Sequence, residues 1–235
     1  MIPAGSFQMG CDSRNLAEMC SRNDELPLHT VLLSAYYIDK YEVTNARYKV
    51  CFDAGGCTRP ANVNSSTRSP YFGTSTYADY PVTNVSWSQA RAFCEWEGKR
   101  LPTEAEWEKA ARGSSDTRKY PWGDSNPDCT KSNYYLLSSC IGDTNRVGSY
   151  PSGASPYGVM DMAGNVYEWV NDWYGDRYYS VSPSVDPQGP STGQLRVLRG
   201  GAWNYFEPVV RSAYRLEITP LATSGSRGFR CVRSQ

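Results

Sequence analysis

Short apolar stretches along the chain predict elements from their spacing. Residues 30–40 are rich in β-branched and aromatic side chains and predict a strand. Stretches of the same character predict further strands at 166–169, 196–199 and 229–232. Each stretch is brief, so little of the chain is expected to lie in regular strands.

Three helices are predicted from their start and stop signals. Thr44 is typical of an N-cap and predicts a helix to about residue 52, closed near the glycines at 55–56. Two further helices, to about residue 97 and over about 104–112, each follow a capping-box pattern and end at a glycine: Ser86 with Gln89, and Thr103 with Glu106. Apolar residues of the first of these two are expected to face the core: Ala90, Phe93, Cys94 and Trp96.

The stretches between these elements show neither the alternation typical of a strand nor the spacing typical of a helix. Residues 58–80 are rich in Pro, Ser, Asn and Gly and predict a surface loop. Residues 114–155 predict turns and short extended pieces. No repeat, linker or low-complexity tract divides the sequence. It therefore predicts one loop-rich α+β domain over residues 1–235, with little regular secondary structure.

Charge narrows the classes of function. The 235 residues include 24 basic and 24 acidic side chains, so the net charge is zero. That balance argues against a nucleic-acid-binding or membrane-binding surface. No apolar run approaches the roughly 20 residues of a membrane span, and no basic-then-apolar leader indicates a signal peptide.

Eight cysteines indicate a disulfide framework. Three pairs are close in sequence and two cysteines are left over: Cys11 and Cys20, Cys51 and Cys57, Cys129 and Cys140, then Cys94 and Cys231. Eight cysteines allow roughly a hundred connectivities, so spacing alone does not fix the pairing. Zinc is the weaker interpretation, because no CxxC motif occurs and His29 is the only histidine. Disulfides indicate an extracytoplasmic location or the cytoplasm of a thermophile.

Seven segments, in order and spacing, resemble the formylglycine-generating enzyme family. The most specific is KRLPTEAEWE at 99–108. The others are IPAGSFQMG at 2–10, YEVTN at 41–45, PVTNVSW at 81–87, MAGNVYEW at 162–169, RGGAW at 199–203 and GFRC at 228–231. The resemblance covers nearly the whole chain and implies the family's elaborated C-type lectin fold. It also implies a disulfide between Cys94 and Cys231, because the family pairs the matching cysteines.

The same resemblance implies that the catalytic site is absent. The enzyme oxidises a sulfatase cysteine with copper held by two cysteines five residues apart, shortly after a Gly-Gly-Ser turn. Here the turn is Gly-Gly-Ala at 200–202, and the matching positions are Tyr205 and Val210. Neither side chain supplies the thiolate that Cu(I) prefers. The related ergothioneine-type sulfoxide synthases hold iron on histidines from an additional domain, and this chain has only His29, so neither copper nor iron is expected.

Family members often carry structural calcium, and the resemblance points to two candidate sets of ligands. In the first, Asp161 and Glu168 would bind through carboxylates, and Gly164 and Val166 through backbone carbonyls. In the second, loop lengths differ from the family: Asn133, Tyr134, Asp143 and Asn145. The alternative is that these carboxylates cap turns or pair with arginines.

Residues 203–227 resemble the variable region of proteins diversified by retroelements, some of which use this fold. Such a region lies between a Gly-Gly-Ser/Ala-Trp turn and a Gly-Phe-Arg-Cys end, and diversification acts on adenines, typically in AAC codons. Glu207 and Glu217 cannot arise from AAC, and Arg211 and Arg215 are expected to hold the loop through carbonyls or carboxylates. Side chains compatible with AAC-derived codons are the candidate ligand contacts: Asn204, Tyr205, Phe206, Val209, Val210, Tyr214, Leu216, Ile218, Thr219, Leu221, Ala222, Ser224 and Ser226.

The sequence therefore favours a non-catalytic binding protein with a diversified surface at 203–227. Tyrosine and phenylalanine give large contact area at low entropic cost, which suits such a surface. Its partner would be a protein or another macromolecule, and a monomer is favoured. Two alternatives stay open: a binding or accessory module of fixed sequence, and an oxidoreductase with a changed active site.

Overall fold

The computed structural model describes residues 1–20, 22–135 and 140–235. The described residues form three α-helices, which begin at the predicted caps: α1 (Asn45–Asp53), α2 (Trp87–Trp96) and α3 (Glu104–Arg112). They also form eight short strands: β1 (Gly5–Met9), β2 (His29–Leu33), β3 (Tyr36–Ile38), β4 (Tyr167–Trp173), β5 (Arg196–Arg199), β6 (Leu216–Ile218), β7 (Arg227–Gly228) and β8 (Val232–Ser234). The fold is α+β and loop-rich, as the sequence predicts.

The helices start where side chains satisfy backbone groups that the helix leaves unpaired. Thr44 accepts a hydrogen bond from the Arg47 amide at the start of α1. The capping boxes predicted for α2 and α3 are both complete. Three of the four α2 residues that were expected to face the core are buried. The prediction is wrong for Trp96, which lies beside Gly56 and is 41% exposed.

The strands form one four-stranded sheet and two ribbons. The sheet has the order β6-β5-β4-β7, in which β7 runs parallel to β4 and the other neighbours are antiparallel. β1 pairs with β2, and β3 pairs with β8. Among the described residues, no helix combines the length and the apolar character needed to cross a bilayer.

The predicted strand at 30–40 is two strands with different partners. The chain leaves β2 at Ser34, whose amide and hydroxyl both donate to the Asp186 carboxylate at 2.8 Å. It then enters β3 beside β8. The predicted strand at 229–232 is also wrong, because the chain there passes from β7 to β8 with Arg230 buried between them. Within the predicted loop at 114–155, residues 136–139 lie outside the described residues.

All eight cysteines form disulfides: the three pairs that are close in sequence are joined, and Cys94–Cys231 is the pair that the family resemblance implies. The pairs are Cys11–Cys20, Cys51–Cys57, Cys94–Cys231 and Cys129–Cys140. The Cys94–Cys231 bridge joins α2 to the chain just before β8, inside the largest apolar cluster. That cluster also supports the inner side of residues 203–227.

Candidate functional site

Residues 203–227, called here the presented segment, run from the Gly200-Gly201 turn to β7. β6 adds three of these residues to the edge of the sheet beside β5, although apolar and polar residues do not alternate there as in a typical strand. Val210 and Ser226 are buried. Val210 is fully enclosed by apolar neighbours and is not available to a ligand in this arrangement. Ser226 still lines a cleft beside the segment and stays a predicted contact.

Buried ion pairs hold the presented segment to the scaffold. The guanidinium nitrogens of Arg211 lie 2.9 and 2.7 Å from the two carboxylate oxygens of Glu25. Those of Arg215 lie 2.7 and 2.9 Å from the carboxylate oxygens of Glu104. All four side chains are buried, and the predicted anchoring role of the two arginines is confirmed. Two-point guanidinium–carboxylate bonds fix direction as well as distance, so the backbone between them is held in place.

Both glutamates of the presented segment are also paired. Glu207 accepts from Lys119 Nζ at 2.9 Å and from the Tyr120 hydroxyl at 2.5 Å. These two hydrogen bonds lower the pKa of Glu207. Glu217 accepts from Arg22 at 2.9 Å. The two glutamates, which AAC codons cannot produce, therefore attach the segment to Lys119, Tyr120 and Arg22 of the scaffold.

Outward-facing residues of the segment are mainly neutral. Phe206 is 62% exposed and Leu221 is 81% exposed. Asn204 and Thr219 are exposed as well. The remaining predicted contacts, Ser226 apart, are half-buried: Tyr205, Val209, Tyr214, Leu216, Ile218, Ala222 and Ser224. The first five of these also pack on the core. The face thus combines large apolar groups with hydroxyl and amide groups.

Aromatic neighbours outside the segment enlarge this face. The Phe206 ring meets Tyr135 edge-on with centroids 4.8 Å apart. Tyr205 meets Tyr167 in the same way at 5.1 Å. Sequence reasoning missed both partners. The MAGNVYEW motif contains Tyr167, but only the strand pairing shows that it lies beneath the segment.

Beside the segment lies a polar cleft of about 260 Å³. The 62–66 part of the long loop forms one wall, and Trp203 and Asn204 form part of the other. Ser224, Gly225 and Ser226 also line it. Because its lining is uncharged amide and hydroxyl groups around one indole ring, the cleft suits hydrogen bonding to a neutral polar group.

The two positions that match the copper cysteines do not resemble a metal site. Tyr205 is half-buried against Tyr167. Val210 is fully buried in a small apolar cluster with Tyr120 and Tyr134. Every cysteine is in a disulfide, so the chain holds no thiol at this place or elsewhere.

The first calcium set fits a cation only in part. One Asp161 carboxylate oxygen accepts from the Gly148 amide at 2.6 Å, and the other is buried without a partner among the described residues. Burial, opposed by that hydrogen bond, raises the pKa of Asp161 to about 6. The Glu168 carboxylate instead receives two bonds from Arg230 at 2.7 Å. A guanidinium already neutralises one of the two proposed carboxylate ligands.

The second calcium set also fits a cation only in part. Asp143 accepts from Ser65 at 2.5 Å and from the Thr67 amide and hydroxyl at 2.8 Å through one oxygen. Its other oxygen accepts from the Thr144 amide at 2.7 Å. The Asn145 side-chain oxygen accepts from the Arg146 amide, and the Tyr134 hydroxyl donates to a backbone carbonyl. The Asn133 side-chain oxygen is buried without a partner among the described residues. Asp143 therefore ties down the long loop, as the capping alternative predicts.

The chain is similar in sequence to known proteins over its whole length. The sequence matches the family described as the sulfatase-modifying factor enzyme 1-like domain over residues 1–235. It is 35% identical to the formylglycine-generating enzyme of Streptomyces coelicolor over 283 residues, covering 98% of this chain and 87% of that enzyme. It is 37% identical to serine/threonine-protein kinase pkn1 of Chlamydia pneumoniae over 246 residues, covering 100% of this chain. The chain spans only 37% of that kinase.

Two solved structures share the fold over nearly their whole length. PvdO from Pseudomonas aeruginosa superposes with a TM-score of 0.80 at 29% identity, covering 99% of this chain and 92% of that one. Treponema denticola variable protein 1 superposes with a TM-score of 0.80 at 28% identity, covering 100% of this chain and 94% of that one. The scaffold is therefore common to proteins with very different descriptions.

Proposed function

The chain belongs to the family of sulfatase-modifying factor enzyme 1-like domains, and on that premise we propose that it is a non-catalytic binding protein. It presents residues 203–227 as a diversified contact surface on a C-type lectin-like scaffold. The observation that carries this proposal is that two different kinds of residue in the segment attach it to the scaffold and face outward. Buried charged residues attach it to the scaffold, and neutral side chains such as Phe206 and Leu221 face outward.

This separation of anchoring residues from outward residues allows the outward residues to be diversified. Surface substitutions away from buried pairs usually change stability by less than about 0.5 kcal/mol. Outward positions can therefore vary while Arg211 and Arg215 keep the backbone fixed. The full-length similarity to Treponema denticola variable protein 1 supports the same proposal. The expected partner is a protein or another macromolecule, bound by a monomer.

Loss of catalysis is the part of the proposal that biochemistry tests most simply. In the enzymes that this sequence resembles, copper chemistry depends on cysteines at the positions of Tyr205 and Val210. We expect the purified protein to bind no Cu(I) tightly and to consume no oxygen with a cysteine-containing peptide, while the Streptomyces coelicolor enzyme does both. Tight Cu(I) binding together with peptide-dependent oxygen consumption by this chain would overturn the proposal.

A matched variant makes a negative result informative. Replacing both residues, Tyr205→Cys and Val210→Cys, restores the two thiols on the same backbone. We expect this variant to bind Cu(I) where the unaltered chain does not, because thiolates are the ligands that Cu(I) prefers. Copper bound equally by both proteins would come from another site and would contradict the assignment of these positions.

Structural calcium at the first set is a separate proposal. It rests on the unpartnered buried oxygen of Asp161 and on the resemblance that matches Gly164 and Val166 to backbone ligands. Calcium would supply charge that fixes this loop, and Asp161 would hold it. Millimolar calcium should raise the melting temperature of the unaltered chain and not of Asp161→Asn. An unchanged melting temperature in both would remove calcium from the account.

A further inference from the structure

The presented segment contains five charged side chains, of which four have partners on the scaffold. The pairs lie at 2.7–2.9 Å: Arg211 with Glu25, Arg215 with Glu104, Glu207 with Lys119, and Glu217 with Arg22. The fifth is Arg227. Across residues 1–20, 22–135 and 140–235, no carboxylate lies at ion-pair distance from its guanidinium, and no side-chain or backbone oxygen accepts from it.

Strand pairing places Arg227 beneath the aromatic part of the face. β7 runs parallel to β4 with Arg227 opposite Tyr167, so the two side chains lie on the same side of the sheet. The Tyr205 ring packs on Tyr167. Arg227 is therefore next to the predicted ligand contacts.

Two polar groups at this place lack partners within the protein. Arg227 is half-buried, and burial lowers the pKa of its guanidinium. The Tyr167 hydroxyl is buried without a hydrogen bond to any described residue. Removing a charged or hydroxyl group from water costs free energy unless it is paired. A ligand group that bonded to them would recover that cost on binding.

We propose that Arg227, with the Tyr205 and Tyr167 hydroxyls, forms a fixed point that binds an anionic group of the ligand. A guanidinium gives two parallel N–H donors, a geometry that matches carboxylate, phosphate and sulfate. A phenol hydroxyl adds a further donor. This inference rests on the proposed function and deepens it. Arg227 and Tyr167 lie outside positions 204–226, so every variant would share the preference for an anion while Tyr205 adjusts it.

The test uses anions as probes because the ligand is unidentified. Inorganic sulfate, inorganic phosphate and N-acetylaspartate are titrated into the full chain at constant ionic strength, which holds general screening fixed. The signal is the Nε–Hε resonance of Arg227 in a protein with ¹⁵N-labelled arginine. We expect a saturable shift with at least one probe. Preference for sulfate or phosphate indicates a sulfated or phosphorylated ligand, and preference for N-acetylaspartate indicates an acidic peptide.

Variants separate the site from general anion effects. Arg227→Gln should weaken binding of the same probe by roughly tenfold or more, measured by calorimetry, because a charge-assisted bond is lost. Arg59→Gln is the matched control, since Arg59 is exposed and makes the same change in net charge. Its affinity should equal that of the unaltered chain. Tyr167→Phe should weaken binding a few-fold. Circular dichroism establishes that each variant is folded.

Two results would overturn the inference: no saturable shift with any probe, or equal affinities for Arg227→Gln and the unaltered chain. Failure of the proposed function has a different signature. If natural variants show no substitutions at 204–226, the diversified surface is wrong while anion binding at Arg227 stands. If the codons vary and no anion binds, only the inference about Arg227 is wrong.

Discussion

Single residues decide how firmly the presented segment is held. Glu25 is buried, and both of its carboxylate oxygens receive hydrogen bonds from Arg211. An ion that loses its partner in the interior keeps the cost of leaving water without the compensating attraction. The contribution of such a pair therefore appears when one member is removed, and it differs sharply from that of an exposed contact residue.

We predict that Arg211→Ala lowers the free energy of unfolding by about 3–5 kcal/mol, because Glu25 remains buried without its partner. Leu221→Ala, at a side chain that is 81% exposed, should change it by less than about 0.5 kcal/mol. Urea unfolding followed by circular dichroism measures both. Similar losses in the two variants would contradict the separation of anchors from contacts.

A buried acid at the start of α3 makes stability depend on pH. Burial, aided by the nearby Glu104 charge, raises the pKa of Asp172 to about 8, and its carboxylate accepts from the Glu104 amide at the start of α3. The folded state therefore keeps a proton that the unfolded chain releases above its ordinary pKa of 3.8. Stability from this group is present at low pH and declines as pH rises towards 8.

Asp172→Asn removes the titration and retains a hydrogen-bond acceptor. Between pH 5 and pH 8 the unaltered chain should lose about 1–4 kcal/mol of unfolding free energy through this group, and the variant should lack that decline. Urea unfolding at several pH values gives the comparison. Parallel pH profiles for the two proteins would show that Asp172 is ionised in the folded state at neutral pH.

Elements could be predicted from the sequence where their signals are local. The capping residues of α2 and α3 lie within three positions of their partners, and both helices begin where predicted. The strand at 30–40 was wrong because its break depends on Asp186, which is 152 residues away from Ser34. Periodicity contains no information about such a distant partner.

The candidate site shows the same limit. Arg211 and Arg215 were expected from the sequence to hold the loop through carbonyls or carboxylates, and they do. Their partners Glu25 and Glu104 could not be identified, since they lie 186 and 111 residues away. Sequence reasoning missed Arg227 as a candidate contact. Its place beside Tyr167 depends on the pairing of β7 with β4, and its lack of partners among the described residues is a property of the folded structure.

Disulfides differ in how much chain they constrain. Cys94–Cys231 closes a loop with a sequence separation of 137, and Cys51–Cys57 closes one of 6. A longer closed loop removes more entropy from the unfolded chain. Replacing both members of the first pair by alanine should cost about 5 kcal/mol of stability, against about 2 kcal/mol for the second. Guanidinium unfolding checks this order, and equal losses would contradict it.

At the scale of the whole molecule, many of the balanced charges form ion pairs within the protein. Many of the 24 basic side chains pair internally. Buried guanidinium groups are held by carboxylates at Arg199, Arg211, Arg215 and Arg230. The fold is held by these pairs and by the disulfides, so its stability depends little on the outward side chains of the segment. Such a scaffold tolerates change at one surface, which is the property that a diversified binding protein needs.

The central claim is tested most directly by sequencing the 3′ part of this gene across a natural population of its source. We predict substitutions concentrated in codons 204–226, at adenine-derived positions and at outward side chains such as Asn204, Phe206 and Leu221. The codons of Arg211, Arg215 and Arg227 should be constant. A segment as invariant as its flanks would contradict diversification and would indicate one dedicated partner.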